Sequence, residues 1–368
     1  MQKNIEYYSI LTINDPTNYG NRLQNYALQQ VLSTYGPTTT IKQYNWLPSR
    51  AAYLKQRLST FLRTKMLKLK ASLNKPLTPS EHKLYNFIKF NEKYINDGLI
   101  SETSFDGVRK SKHTEIKKVV IGSDQVWNYT FNLSNEDLKM RMGADFPAEK
   151  LISYAASIGL DSIEISKQEI FKEYISRIQH ISMREKEACE LIESICNVPA
   201  TLVLDPTFLM TPEQWNHLFT GFTAQKKKYI LTYFLGEPTA AQEEIINQYS
   251  RDHNCDILRI NDERDPETYA AGPCEFVELI ANSEFVFTDS YHACCFSIIF
   301  DKDFKVFNRN TKGMKNMNSR MRTLFRYFNL TDTMSEEDRI VLRDTLSHKK
   351  RLFELQQESK EWLNAALR

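Results

Sequence analysis

Short runs of β-branched and aromatic residues alternate along the chain with longer stretches whose apolar positions recur every three or four residues. "YYSILTI" (7–13) predicts a strand, "DPTNYGNR" a loop, "LQNYALQQVLSTYG" a helix closed by Gly36, and "TTIKQYN" the next strand. A helical stretch follows around 80–95. Then "KVVIGSDQVWN" (118–128), "KLISYAASIG" (150–159), "HISMR" (180–184) and "ATLVLDPTF" (200–208) each predict a strand that stops at polar or turn residues, with "REKEACELIES" as a helix between the last two. The series restarts at "KKKYILTYFLGEP" (226–238) and runs through a helix near 239–252, "DILRI" and the helix "CEFVELIANS". Such alternation predicts an α/β protein with parallel sheets covered by helices on both faces. The break between the two series, within 211–227, divides the chain into units 1–215 and 216–368. The first carries a basic helical insertion at about 50–95, and the second ends in a helix.

The last unit, "FVFTDSYHACCFSIIF" (285–300), joins a strand suited to burial on both faces to a helix apolar on nearly every side, and a strand returns at 304–307. Asp289 and Ser290 are N-cap residue types at the joint, and His292 falls in the first helical turn. In a β-α-β unit the crevice beyond the strand's carboxyl end is where ligands bind, and a helix start offers N–H groups and partial positive charge to an anion. His292 is therefore the leading candidate for chemistry.

Composition changes this picture little. With 368 residues, 41% apolar content and 11 glycines, the chain can bury a large core. The six cysteines lack zinc-site spacing, and Cys294 and Cys295 sit in an apolar helix, as buried reduced thiols would. No run reaches the ~18 to 20 apolar residues of a membrane span, and the N-terminal apolar run is too short for a signal peptide. The expectation is a cytoplasmic protein.

Charge is informative only in its distribution. The net charge is +2, yet no acidic residue occurs between Asp15 and Glu81, and 50–75 carries eight basic residues. Among them Leu54, Leu58, Phe61, Leu62, Met66, Leu69 and Leu73 recur at helical spacing, the pattern of an amphipathic helix able to lie on an anionic membrane. An ordinary surface helix packed on the first unit would show the same pattern. Little aromatic interleaving and no binding motif argue against nucleic acid.

Several segments together resemble the polysaccharide pyruvyl transferase family: "NYGNRLQNYALQ" (18–29), "GSDQVWN" (122–128), "SYAAS" (153–157), "SMREKEA" (182–188), "LDPTFLM" (204–210), "TDSYHACCFSIIF" (288–300) and "NSRMRTLF" (318–325). The resemblance implies two Rossmann-like domains facing across a cleft, a GT-B-like fold. It also implies transfer of the enolpyruvyl unit of phosphoenolpyruvate to a sugar, giving a pyruvate ketal and phosphate, within a bacterial capsule, exopolysaccharide or cell-wall pathway. The acceptor would be a sugar or lipid-linked oligosaccharide, consistent with peripheral contact at the inner membrane face through 50–75. That chemistry needs cations and N–H donors for two anions, an acid for the methylene carbon and help in deprotonating sugar hydroxyls, but no metal or cofactor.

By resemblance His292 supplies the acid, and Arg184 holds the donor's phosphate or carboxylate, as a guanidinium grips such groups in a bidentate way. Arg184 could equally pair with Glu185 or Glu187. Asp289 either caps the helix or orients His292. Some relatives have arginine where this chain has Ser290, so Arg320 or Lys312 is expected to supply the missing cation. Where a glycine often follows the histidine stands Ala293, which a helix tolerates. Asp124, Gln125, Asn18 and Asn21 lie beyond strand ends and suit sugar hydroxyls, with Trp127 offering a ring face; turn chemistry would also explain them. A nucleotide-sugar glycosyltransferase and an inactive glycan-binding member remain alternatives, because fold does not fix function.

Overall fold

The computed structural model describes residues 5–42, 50–101, 116–131, 133–309, 318–330 and 345–368. The first half holds the strands β1 (Tyr7–Leu11), β2 (Thr38–Lys42), β3 (Asp97–Ser101), β4 (Ile116–Ile121), β5 (Leu151–Ala156), β6 (His180–Met183) and β7 (Thr201–Leu202). All pair in parallel, in the order β3-β2-β1-β4-β5-β6-β7. The second sheet, also parallel, holds β8 (Tyr229–Tyr233), β9 (Asp256–Ile260), β10 (Phe285–Thr288) and β11 (Asp303–Val306) in the order β11-β10-β8-β9. The helices are α1 (Tyr19–Ser33), α2 (Arg50–Ser72), α3 (Pro79–Tyr94), α4 (Asn135–Arg141), α5 (Ile165–Ile175), α6 (Lys186–Cys196), α7 (Pro212–Asn216), α8 (Ala240–His253), α9 (Pro266–Tyr269), α10 (Pro273–Asn282), α11 (Tyr291–Ile299), α12 (Asn318–Tyr327) and α13 (Thr345–Ala366).

Both sheets are doubly wound and Rossmann-like, and they face one another across a cleft, the GT-B-like arrangement expected. In each, the strand order reverses beside the first strand: between β1 and β4 in one sheet, and between β8 and β10 in the other. β10 is buried along its whole length between β8 and β11, as its unbroken apolar run requires.

Two elements differ from the sequence reading. The polar strand β3 was not anticipated; its short, mixed sequence "DGLIS" suits a sheet edge rather than a core. Helix α1 begins at Tyr19 rather than after the "DPTNYGNR" segment, because the Asn18 side chain caps it by accepting from the Asn21 N–H. Tertiary packing holds that first turn. The Tyr19 ring stacks on Phe276 at 4.7 Å between centroids, meets Tyr233 edge-on at 5.6 Å, and its hydroxyl donates to the Ala271 carbonyl at 2.6 Å.

The two halves thus share a core in which Tyr26, Phe87 and Trp215 lie among Phe276, Cys295 and Phe296. The C-terminal helix, expected with the second unit, touches both: its first turns meet that unit, with His348 against the Phe328 ring and Lys349 paired with Asp301, while Leu363, Ala366 and Leu367 at its end cluster with Tyr8, Ile10, Val120 and Ile152 of the first sheet. Its buried side chains Leu355, Ser359, Leu363 and Leu367 recur every fourth residue, and that stripe needs an apolar face to cover. The six cysteines are all free and buried. Among the described residues no helix is long and apolar enough to cross a membrane.

Leu363 is fully buried, whereas Leu69 is 58% exposed. In urea titrations Leu363→Ala is expected to lower stability by about 2–5 kcal/mol through the cavity it leaves, and Leu69→Ala by no more than about 0.5 kcal/mol.

Candidate active site

The site forms where the carboxyl ends of both sheets meet. After β4 the chain turns through Gly122 and Ser123 and places Asp124 at a left-handed φ of 67°. After β10, the Ser290 hydroxyl caps α11 by accepting from the Ala293 N–H, which sets His292 in the first turn. The starts of α1 and α11 come so close that a Cβ on Gly20 would lie 2.0 Å from His292 Nδ1. Only glycine fits there.

A buried ionic cluster underlies this meeting point. The Arg184 side chain is fully buried at the end of β6 and donates to Asp205 Oδ2 at 2.7 Å and to Asp124 Oδ1 at 3.4 Å. The Tyr291 ring lies 4.4 Å from its guanidinium carbon. Burial opposes the arginine's charge, but Tyr291, Asp205 and Asp124 together hold its pKa above the usual value. Burial would likewise raise Asp205, yet His292, Arg184 and the Thr207 N–H outweigh it and keep the carboxylate ionised. Asp124 is driven down to about 2, because Arg184, His292 and Arg320 overcome its desolvation.

The His292 Nε2 atom lies 3.8 Å from Asp205 Oδ2, beyond hydrogen-bond reach, and has no hydrogen-bond partner among the described residues. Burial pushes its pKa down. Asp205 and Asp124 pull it back and Arg184 and Arg320 push further, so the net displacement is downward. Even beside these two carboxylates, burial favours the neutral imidazole.

A cavity of about 370 Å³ opens above the cluster and is lined by Asn18, Asn21, Asp124, Gln125, Ser290, His292 and Arg320, which sequence reasoning had selected. These groups are not equally available to a ligand. Asn18 Oδ1 caps α1, and Asn21 links Asp124 to the Asp15 N–H and to the Arg22 guanidinium. Gln125 Oε1 accepts from Asn128 at 2.8 Å, which fixes the orientation of its amide.

Three expectations are corrected by geometry. Arg184 lies beneath the cavity rather than in its wall, neutralised by Asp205 and Asp124; of its two expected carboxylate partners Glu185 stands 4.0 Å away, and no ion pair with Glu187 occurs among the described residues. Asp289 does not orient His292: its oxygens accept from the Leu235 and Gly236 N–H groups at 2.7 and 2.9 Å and from Arg309 Nε at 3.1 Å. Trp127 is fully buried and donates to the Arg141 carbonyl, so it offers no face to a sugar. Lys312 lies outside the described residues.

The structure adds residues not foreseen. Asp205 is the carboxylate nearest His292 among the ionic contacts, and its sequence signals are the Asp-Pro turn that ends the 200–208 strand and its place in the segment "LDPTFLM". Arg309 reaches the cavity wall from beyond β11, steadied by Asp289; Asp15, Arg141, Tyr233 and Tyr291 also line the cavity.

Fold and cleft define a two-sheet α/β protein whose paired helix starts, arginines and histidine face a common cavity. The model of the polysaccharide pyruvyl transferase family matches residues 18–310, and the chain belongs to that family. It is accordingly a transferase of polysaccharide biosynthesis. No curated protein matches its sequence significantly. Among solved structures it is similar to a UDP-GlcNAc 2-epimerase from Neisseria meningitidis (11% identity, 98% of this chain and 94% of that one, TM-score 0.43). It is also similar to a UDP-GlcNAc 2-epimerase from Methanocaldococcus jannaschii (12%, 95% and 99%, 0.40) and to the kitacinnamycin glycotransferase (10%, 99% and 98%, 0.37).

The contact between Gly20 and His292 yields a stability test. Gly20→Ala should cost about 1–3 kcal/mol by overpacking, and the same substitution in a His292→Ala background should cost markedly less, because the obstructing ring is gone. A denaturant-based double-mutant cycle measures the difference.

Proposed function

We propose that the cavity binds phosphoenolpyruvate and transfers its enolpyruvyl unit to two hydroxyls of a sugar in a polysaccharide precursor, forming a pyruvate ketal. The observation that carries this reading is a buried histidine at the start of α11, facing a cavity whose walls also hold Arg309 and Arg320. Phosphate and carboxylate need two sets of cationic donors, and two arginines flank the position where Ser290 provides none. The N-terminus of α11 adds N–H dipoles to the same field.

In this mechanism His292, as imidazolium, protonates the methylene carbon and leaves an electrophilic C2. One sugar hydroxyl adds to that carbon. Phosphate then departs and the second hydroxyl takes its place. Of the two hydroxyl protons, one restores His292 and the other leaves with phosphate, so the sum is donor plus diol giving ketal plus inorganic phosphate. Asp124 is too weak a base to abstract protons and is suited instead to accept hydrogen bonds from the acceptor's hydroxyls. Arg184 and Asp205 position Asp124 and His292 from below.

An anionic donor beside His292 raises its lowered pKa, so between the free and bound values binding takes up a proton. Calorimetric titration of phosphoenolpyruvate near pH 7, in buffers of different ionisation enthalpy, should show this uptake in the wild type but not in His292→Ala. Arg320→Ala should weaken donor binding about tenfold or more, the loss of a charge-assisted contact. His292→Ala should retain the fold but lose about 10²-fold or more in turnover, read as phosphate release dependent on donor and acceptor. Nucleotide release from a nucleotide sugar, with no phosphoenolpyruvate binding, would replace this reading with glycosyl transfer.

A further inference from the structure

Helix α2 stands apart from the rest of the fold. Of the twelve large apolar side chains exposed among the described residues, seven lie on it or immediately after it: Leu54, Leu58, Phe61, Leu62, Met66, Leu69 and Leu73, each 50–66% exposed. At ~100° per residue they fall within an arc of about 140°. Leu67, only 4% exposed, points to the opposite side. The ion pairs Lys70–Glu81 (2.6 Å) and Lys68–Glu92 (2.5 Å) tie α2 to α3. The apolar stripe therefore faces away from the protein body.

Charge identifies what would cover it. No carboxylate occurs in the sequence between Asp15 and Glu81, and among the described residues Lys55, Arg63 and Lys65 have no acidic partner. A groove of about 620 Å³ between α2 and the start of α3 runs along one flank of the stripe, lined by Leu58, Leu62, Met66 and Leu84, with Lys55, Arg63 and the neutralised Lys70–Glu81 pair at its edges. A second copy docked through the same face would set cations against cations. A bilayer with anionic headgroups accepts the apolar stripe together with Lys55 and Lys65, which lie within it and can extend their ammonium groups to the headgroups, and Arg63 beside it.

We propose that α2 is a membrane-docking helix that lies in the headgroup region of an anionic lipid surface. Docking through α2 is independent of which donor the cleft takes, so donor titration and lipid binding fail or succeed separately.

The test is co-sedimentation of the full chain with phosphatidylcholine vesicles, with and without about one third phosphatidylserine. Binding should require phosphatidylserine and weaken as salt screens the surface charge. The double variant Phe61→Asp with Met66→Asp, and the triple variant Lys55→Gln, Arg63→Gln and Lys65→Gln, should each reduce the bound fraction at least tenfold. Circular dichroism and Tm should not change, since the altered side chains are exposed. Absence of phosphatidylserine-dependent binding, or equal binding by all variants, would overturn the proposal. A concentration-dependent dimer in sedimentation velocity that Phe61→Asp dissociates would overturn it too, assigning the face to a second copy.

Discussion

The buried guanidinium of Arg184 is the interaction on which the site depends. It joins three strand ends: Asp124 follows β4, Arg184 follows β6, and Asp205 follows β7. Removing these charges from water costs several kcal/mol per ion, so a well-packed apolar cluster could stabilise the fold at least as well. What the ions provide is definition. A carboxylate fixed beside a fully buried cation has one position, and it sets the charge that His292 meets 3.8 Å from its Nε2 atom. Tyr291, stacked over the same guanidinium, closes the cluster from the second half.

Above this floor, topology determines which groups can meet. In each sheet the strand order reverses at the strands whose following loops build the cavity: β1 and β4 on one side, β8 and β10 on the other. Helix starts therefore converge from both halves, and Gly20 lets them approach to van der Waals contact with the histidine ring. Burial at that meeting point is the main cause of the lowered pKa of His292, which the carboxylates of Asp205 and Asp124 oppose and the guanidinium groups of Arg184 and Arg320 reinforce.

Much of this was legible in the sequence, for a physical reason. Parallel strands buried on both faces leave uninterrupted apolar runs, and a helix that follows such a strand announces itself by cap residues, as at 285–300. Individual side-chain directions were harder to read. Asp289 and Ser290 are adjacent cap types, yet only Ser290 caps, because Asp289 is claimed by backbone N–H groups 53 and 54 residues away. Arg184 read as a ligand for the donor, since nothing local revealed that Asp205 would neutralise it from 21 residues downstream. The early start of α1 escaped notice because the energy that holds Tyr19 resides in rings of the other half.

That last contact bears on how the enzyme can move. In two-domain enzymes whose halves touch through a thin polar interface, substrate is commonly gripped by a hinge that swings the halves together. Here the Tyr19–Phe276 stack and the bond from Tyr19 to Ala271 weld α1 to the second half at the rim of the cavity itself. A wide swing would expose that aromatic core to water. Any opening at this rim therefore has to break ring stacking and a buried hydrogen bond together, so the cavity mouth is held by the same contacts that start α1.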